Sequence, residues 1–191
     1  MKTLLVIALG NPDPEYLQTR HNVGWQFSDW LAKKYDATDE KEDKKLVALV
    51  RSTKLDKTKV VLIKPLTFVN KSGLTAAKAR LAHKAKPQNI VLVHDDMDIP
   101  FGHCKLTFDK SSGGHRGVDS VIKALKTQKF WRIRIGTGVR ALDKARQQTE
   151  KRRDEWVREF VLHPFTPSEK EELKGIFKEC EIRLLQVARQ K

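Results

Sequence analysis

A chain of 191 residues, 39% hydrophobic and 32% charged, is long enough for one globular domain with a sizeable core. Its 38 Lys and Arg against 24 Asp and Glu give a formal net charge of +14, which points to a polyanionic partner. Two cysteines without ligand-like spacing exclude a disulfide framework and a CxxC metal site, and no apolar stretch approaches membrane-spanning length.

The run Leu4-Leu5-Val6-Ile7-Ala8-Leu9 is short, continuous and β-rich, the pattern of a buried strand. It is too short for a signal peptide, and the polar Asn11-Pro12-Asp13-Pro14-Glu15 follows it with no small-residue cleavage pattern. The cytoplasm, with both thiols free, is therefore the expected compartment. After the turn at Gly10-Asn11-Pro12, His21 stands between Arg20 and Asn22, and apolar residues at Val23, Phe27, Trp30 and Leu31 predict an amphipathic helix. A polar segment from Asp36 to Lys45 precedes strand-like runs around Leu46–Arg51 and Val60–Ile63. The segment from Lys64 to Asn70 ends in a loop, and Ser72 is expected to N-cap an alanine-rich helix reaching about His83.

Asn89–Val93 reads as a second buried strand, with His94-Asp95-Asp96-Met97-Asp98 in a polar loop at its carboxyl end. A short strand near Lys105–Phe108 leads to Ser111-Ser112-Gly113-Gly114, a flexible loop, and then to His115-Arg116-Gly117. Val118, Val121, Ile122 and Leu125 mark a helix face, and Trp131–Gly136 is strand-like. Arg140–Arg158, charged with mixed sign, is either a mobile loop or a solvated helix. Leu173, Ile176, Phe177, Cys180, Leu184 and Val187 describe a C-terminal helix. Strands alternating with helices, and no linker composition, predict one α/β domain over residues 1–191 with a largely parallel sheet.

The charge is unevenly spread. Lys57 to His94 contains no acidic residue but carries Lys57, Lys59, Lys64, Lys71, Lys78, Arg80, Lys84 and Lys86. Ser120 to Leu142 is also free of acids and carries Lys123, Lys126, Lys129, Arg132, Arg134 and Arg140. Single lysines usually decorate solvated faces, but two long one-sign stretches favour nucleic acid or a membrane surface.

Polar loops after three strands bring Asn11 and His21, Phe68 and Asn70, and His94, Asp95 and Asp98 toward the crevice where open α/β sheets bind ligands, and a fourth, Gly-rich loop carries His115 and Arg116. A histidine to accept a proton, a carboxylate to orient it and asparagines to hold water or carbonyls form a workable hydrolytic set. No GxSxG elbow and no GxxxxGK[ST] loop is present. The acidic cluster at 95–98 has a composition that Mg²⁺ and a nuclease would use. Adjacent residues on an extended chain point to opposite faces, so a metal-free site ranks above it.

Taken in order, Gly10-Asn11-Pro12 with Tyr16, Thr19-Arg20-His21-Asn22, Lys64 to Gly73, His94 to Gly102, Gly113 to Val118, Arg132 to Gly136, and Phe160-Val161-Leu162 with Phe165 resemble bacterial-type peptidyl-tRNA hydrolase. The resemblance covers nearly the whole chain. It implies a single-domain, three-layer sandwich with a mixed, largely parallel sheet flanked by helices. It also implies hydrolysis of the ester between a peptide and the tRNA 3′ ribose, by a monomer that needs no cofactor, metal or obligate protein partner. Under it His21 is the general base on water, Asp95 orients its imidazole, and Asn11 positions the water or polarises the ester. Asn70 binds the peptide backbone, Phe68 lines the site, Asp98 sits at the crevice gate, and Tyr16 and Arg116 contact substrate. Arg134, with Lys105, holds tRNA phosphate.

Four positions depart from the family pattern: Asp13 replaces a glycine, Val69 a methionine, Thr107 a lysine and Arg116 an asparagine. Arginine cannot accept a hydrogen bond, and its charge opposes imidazolium formation nearby. Arg116 and Thr107 together motivate an alternative, a weakly catalytic or non-catalytic RNA-binding relative of the same fold.

Overall fold

Strand β1 (Thr3–Ala8) occupies the middle of a seven-stranded sheet, as its unbroken apolar run requires. The computed structural model describes residues 2–190. Leu4 and Val6 enter one apolar cluster and Leu5 and Ile7 the other, the two-residue alternation of a strand covered on both faces. The remaining strands are β2 (Lys41–Asp43), β3 (Ala48–Leu55), β4 (Thr58–Pro65), β5 (Ile90–Pro100), β6 (Cys104–Phe108) and β7 (Trp131–Gly138). They lie in the order β2-β3-β4-β1-β5-β7-β6. The four central strands pair in parallel, and the edges add antiparallel partners, so the sheet is mixed.

Helices α1 (Val23–Lys34) and α6 (Pro167–Arg189) cover one face, joining Val23, Phe27 and Leu31 to Leu173, Phe177 and Leu184. Helices α2 (Gly73–Ala82) and α3 (Arg116–Leu125) cover the other, through Ala76, Ala79, Val118 and Val121. This is the expected α/β/α layering. Among the described residues no helix is long and apolar enough to cross a membrane.

Three local expectations are corrected, and one open alternative is decided. The polar segment before residue 46 contains β2, an edge strand with exposed side chains, held by pairing to β3 rather than by any apolar alternation. Strand β5 does not end at Val93: ladder pairing with β7 carries His94, Asp95 and Asp96 inside it. Ser72 does not cap α2 with its side chain; its backbone is already helical and its hydroxyl is buried without a partner. The charged segment after residue 140 forms α4 (Ala141–Arg146) and α5 (Glu150–Leu162), so the solvated-helix reading holds. Helix α5 is anchored by buried Val161, and its Trp156 stacks on Phe160.

Candidate active site

The chain leaving β1 is tied to the turn that carries His21. Asn22 Oδ1 accepts from the Asn11 backbone N at 2.9 Å, and Asn22 Nδ2 donates to the Asn11 carbonyl at 2.9 Å. Asn11 Oδ1 accepts from the Val69 backbone N at 2.9 Å, which draws in the one-turn helix Val69–Lys71. Asn11, 7% exposed, thereby joins three loops. Its oxygen is committed to the scaffold, and Nδ2 is the group left for a ligand. Asn11 can therefore donate to a developing oxyanion through Nδ2, while its oxygen is held in place by the Val69 amide.

His21 lies in a one-turn helix, Arg20–Asn22, that runs directly into α1. Arg20 fixes this turn from below. Its Nη2 donates to both oxygens of Glu169, its Nη1 donates to the Pro164 carbonyl at 2.9 Å, and its guanidinium lies 4.5 Å over the Phe160 ring. Glu169 also completes the capping box of α6, so the junction of α5 and α6 and the His21 turn share one carboxylate.

Asp95, 2% exposed, receives two histidines on a single oxygen. His21 Nδ1 lies 2.9 Å and His115 Nε2 lies 3.0 Å from Asp95 Oδ1. The tautomer of His115 follows from its position as N-cap of α3. Its Nδ1 accepts from the backbone N of Gly117 and Val118, so its proton sits on Nε2 and is donated to Asp95. Gly113 and Gly114, with φ of 61° and 84°, make the left-handed turn that delivers this histidine. Asp95 in turn accepts a hydrogen bond from His21 Nδ1, which leaves the neutral His21 ring with a lone pair on Nε2. Burial disfavours the His21 imidazolium, but the adjacent Asp95 carboxylate outweighs it and raises the ring above the ordinary histidine value. Burial opposes the Asp95 charge too, yet the two histidines hold its carboxyl well below the usual carboxylate range.

The sequence places His115 on the Gly-rich loop but gives it no role; its contact with Asp95 follows from a cap at α3 that histidine, unlike Ser, Thr, Asp or Asn, does not signal. His94, buried with its Nε2 unpartnered, packs edge-on against His115 with ring centroids 4.7 Å apart.

The other expected residues divide into groups. Phe68, 49% exposed, and Asn70 rim the site beside the Val69 amide held by Asn11. Lys105 and Arg134 are directly opposed across β6 and β7, and Arg134 Nε donates to Asp96 Oδ2 at 2.7 Å. Asp98 is exposed and ion-paired with Arg146 of α4. Tyr16 lies outside the histidine cluster, in a one-turn helix where its carbonyl accepts from Thr19. Arg116 is exposed and lines a groove between α2 and α3; burial and Asp95, not Arg116, set the His21 shift.

Two members of the basic stretches do not serve a polyanion. Lys64 is buried and paired with Asp29 and Glu40. Arg132, 1% exposed, donates to the Ser111 carbonyl at 2.9 Å and supports the glycine loop from beneath. The acidic cluster likewise diverges: Asp95 faces histidines, Asp96 faces Arg134 and Asp98 faces Arg146. The three ligand atoms of His21, Asp95 and His115 lie within 4.8 Å of one another. They suit a proton network better than a cation, because His115 already spends its Nδ1 lone pair on α3 and would need to lose its remaining proton to bind a metal.

Comparisons with known proteins bear on the family of the whole chain. A family model described as peptidyl-tRNA hydrolase matches residues 5–191. The peptidyl-tRNA hydrolase of Aquifex aeolicus (strain VF5) is 37% identical over 191 residues, spanning 98% of this chain and 93% of that protein. The one from Mycolicibacterium smegmatis (strain ATCC 700084 / mc(2)155) is 39% identical over 177 residues, 93% of this chain and 86% of its own length. The crystal structure of peptidyl-tRNA hydrolase from Acinetobacter baumannii is similar with a TM-score of 0.79 at 27% identity, covering 99% of this chain and 96% of that one. A complex of peptidyl-tRNA hydrolase with N-propanol gives a TM-score of 0.81 at 27% identity, with the same coverage. With the family model matching residues 5–191 and a relative 37% identical over 98% of the chain, this chain belongs to the peptidyl-tRNA hydrolase family.

Proposed function

We propose that this enzyme hydrolyses the ester joining a peptide to the 3′ ribose of tRNA, with His21 as the general base. The observation that carries the assignment is the 2.9 Å contact of His21 Nδ1 with Asp95 Oδ1, which leaves Nε2 unprotonated and available. His21 Nε2 takes a proton from water as the oxygen attacks the ester carbonyl carbon. Asn11 Nδ2 donates to the oxyanion of the tetrahedral intermediate, and Asp95 stabilises the imidazolium. The imidazolium then returns its proton to the departing ribose oxygen, which releases the peptide carboxylate and the tRNA 3′ hydroxyl. An ester leaving group is good enough that no covalent nucleophile is needed.

The pair Lys105 and Arg134, on one edge of the sheet, is assigned to tRNA phosphate. Asn70 and Phe68 are assigned to the peptide, Tyr16 to the substrate and Asp98 to the crevice mouth. The protein works as a single-domain monomer in the cytoplasm and needs no metal or organic cofactor. The alternative, an RNA-binding relative without hydrolysis, is not favoured: Arg116 leaves the base and its carboxylate undisturbed.

Release of N-acetyl-amino acid from tRNA tests the assignment. His21→Ala is expected to lose roughly 10²–10⁴-fold in kcat at an unchanged melting temperature, the range of general-base assistance. Undiminished turnover would remove His21 as the base. Wild-type activity persists in excess chelator; loss that Mg²⁺ restores would overturn the metal-free mechanism.

A further inference from the structure

Beside the site, a groove of about 560 Å³ runs between α3 and the segment from Asn70 into α2. Arg116, Asn70, Leu74, Asp119 and Lys123 line it. Its floor is closed where the two helices touch: a Cβ on Gly73 would fall 2.2 Å from the Ser120 carbonyl oxygen. The chain links both of its walls to the catalytic cluster. On one wall Arg116 follows His115 directly; on the other Asn70 follows Val69, whose amide is held by Asn11. The charges in the groove are not balanced. Lys123 is satisfied by Asp119 at 2.8 Å, whereas Arg116 is exposed and has no hydrogen-bonded or ionic partner among the described residues. Leu74, 48% exposed, adds an apolar patch.

We propose that this groove receives the peptide leaving the ester and that Arg116 makes the enzyme favour peptides with an acidic side chain among the first residues from that ester. The inference deepens the hydrolase reading and rests on it. An amide at Asn70 suits a peptide backbone, Leu74 suits an apolar side chain, and the lone guanidinium suits one carboxylate, bound through paired N–H donors. A phosphodiester run fits less well, because with Lys123 spent on Asp119 the groove offers one free cation among the described residues, enough for a single carboxylate and too few for successive phosphates.

The test uses N-acetyl-Xaa-Ala esterified to one tRNA body, with Xaa as Glu, Gln or Lys, so that every RNA contact is constant. Wild type is expected to show kcat/KM about fivefold higher for Glu than for Gln, and lower again for Lys, the scale of a solvent-accessible ion pair. Arg116→Gln should erase the order, and Arg116→Glu should invert it. Equal rates for the three substrates in wild type would overturn the proposal, as would an order that survives Arg116→Gln. A uniform drop for all three in Arg116→Gln, with a shallower salt dependence, would place Arg116 on tRNA phosphate and also overturn it. Absence of hydrolysis of any substrate by wild type is a different result: it would refute the hydrolase reading, and this inference with it.

Discussion

Asp95→Asn isolates the part of the mechanism that depends on one oxygen. Asp95 Oδ1 accepts from His21 Nδ1 at 2.9 Å and from His115 Nε2 at 3.0 Å. If the asparagine carbonyl takes that place, both bonds survive but the charge does not. A hydrogen bond to a charged group contributes roughly 1.5–3 kcal/mol against roughly 0.5–1.5 for a neutral one, so the His21 imidazolium loses about 1 kcal/mol or slightly more. If the amide turns, its NH₂ meets two N–H donors, and His21 adopts the other tautomer with Nε2 protonated. The whole general-base contribution, roughly 10²–10⁴-fold, is then lost. Between these limits, kcat/KM is expected to fall by about 10²-fold.

The pH profile separates this from general damage. In wild type the rate rises with pH as Nε2 loses its proton, with an inflection above the ordinary histidine value of about 6.5 because Asp95 favours the imidazolium. In Asp95→Asn the inflection should move down. Initial rates of N-acetyl-aminoacyl-tRNA hydrolysis from about pH 5 to about pH 9 read both quantities, since this range brackets histidine titration. A variant with kcat/KM within about threefold of wild type and an unmoved inflection would refute the idea that Asp95 holds and charges the base.

Two further outcomes concern stability. Burial first, and His115 second, hold His94 well below the ordinary histidine value, so the folded protein leaves it unprotonated where the unfolded chain takes a proton. Below about pH 6.5 stability should therefore fall by up to ~1.4 kcal/mol per pH unit from this group; His21, raised on folding, acts in the opposite sense while the unfolded ring takes up its proton near about pH 6.5 and adds no slope well below that. Urea unfolding should show a flatter acid limb in His94→Asn; an equal slope would assign the loss to other groups. Gly24→Ala places a Cβ 2.7 Å from the Val93 carbonyl oxygen and 2.8 Å from that of Leu9, both immovable backbone atoms. Overpacking of about 1–3 kcal/mol should exceed the gain of about 1 kcal/mol in helix propensity, lowering the urea midpoint; a variant as stable as wild type would show that α1 can shift at no cost.

The sequence by itself determined the layered α/β fold, because strands buried on both faces need continuous apolar runs such as Leu4–Leu9 and Ile90–Val93, and amphipathic helices must cover them. It also marked Asn11, His21, Asp95 and Asn70, since each stands at the end of a recognisable strand or in a turn beside one. Where the deciding contacts lie far apart in the chain, local pattern was silent. The edge strand β2 exists through pairing with β3, and β5 stays extended through Asp96 because β7 lies beside it. Composition counted Lys64 and Arg132 as surface cations; the sheet buried one against two carboxylates and the other beneath a glycine loop. His115 joined the site through a cap at α3 that aims its Nε2 at Asp95, 20 residues away. Residue type told which side chains could move a proton. Only the tertiary structure decided which nitrogen carries it, because a tautomer is set by the partner each ring nitrogen meets in space.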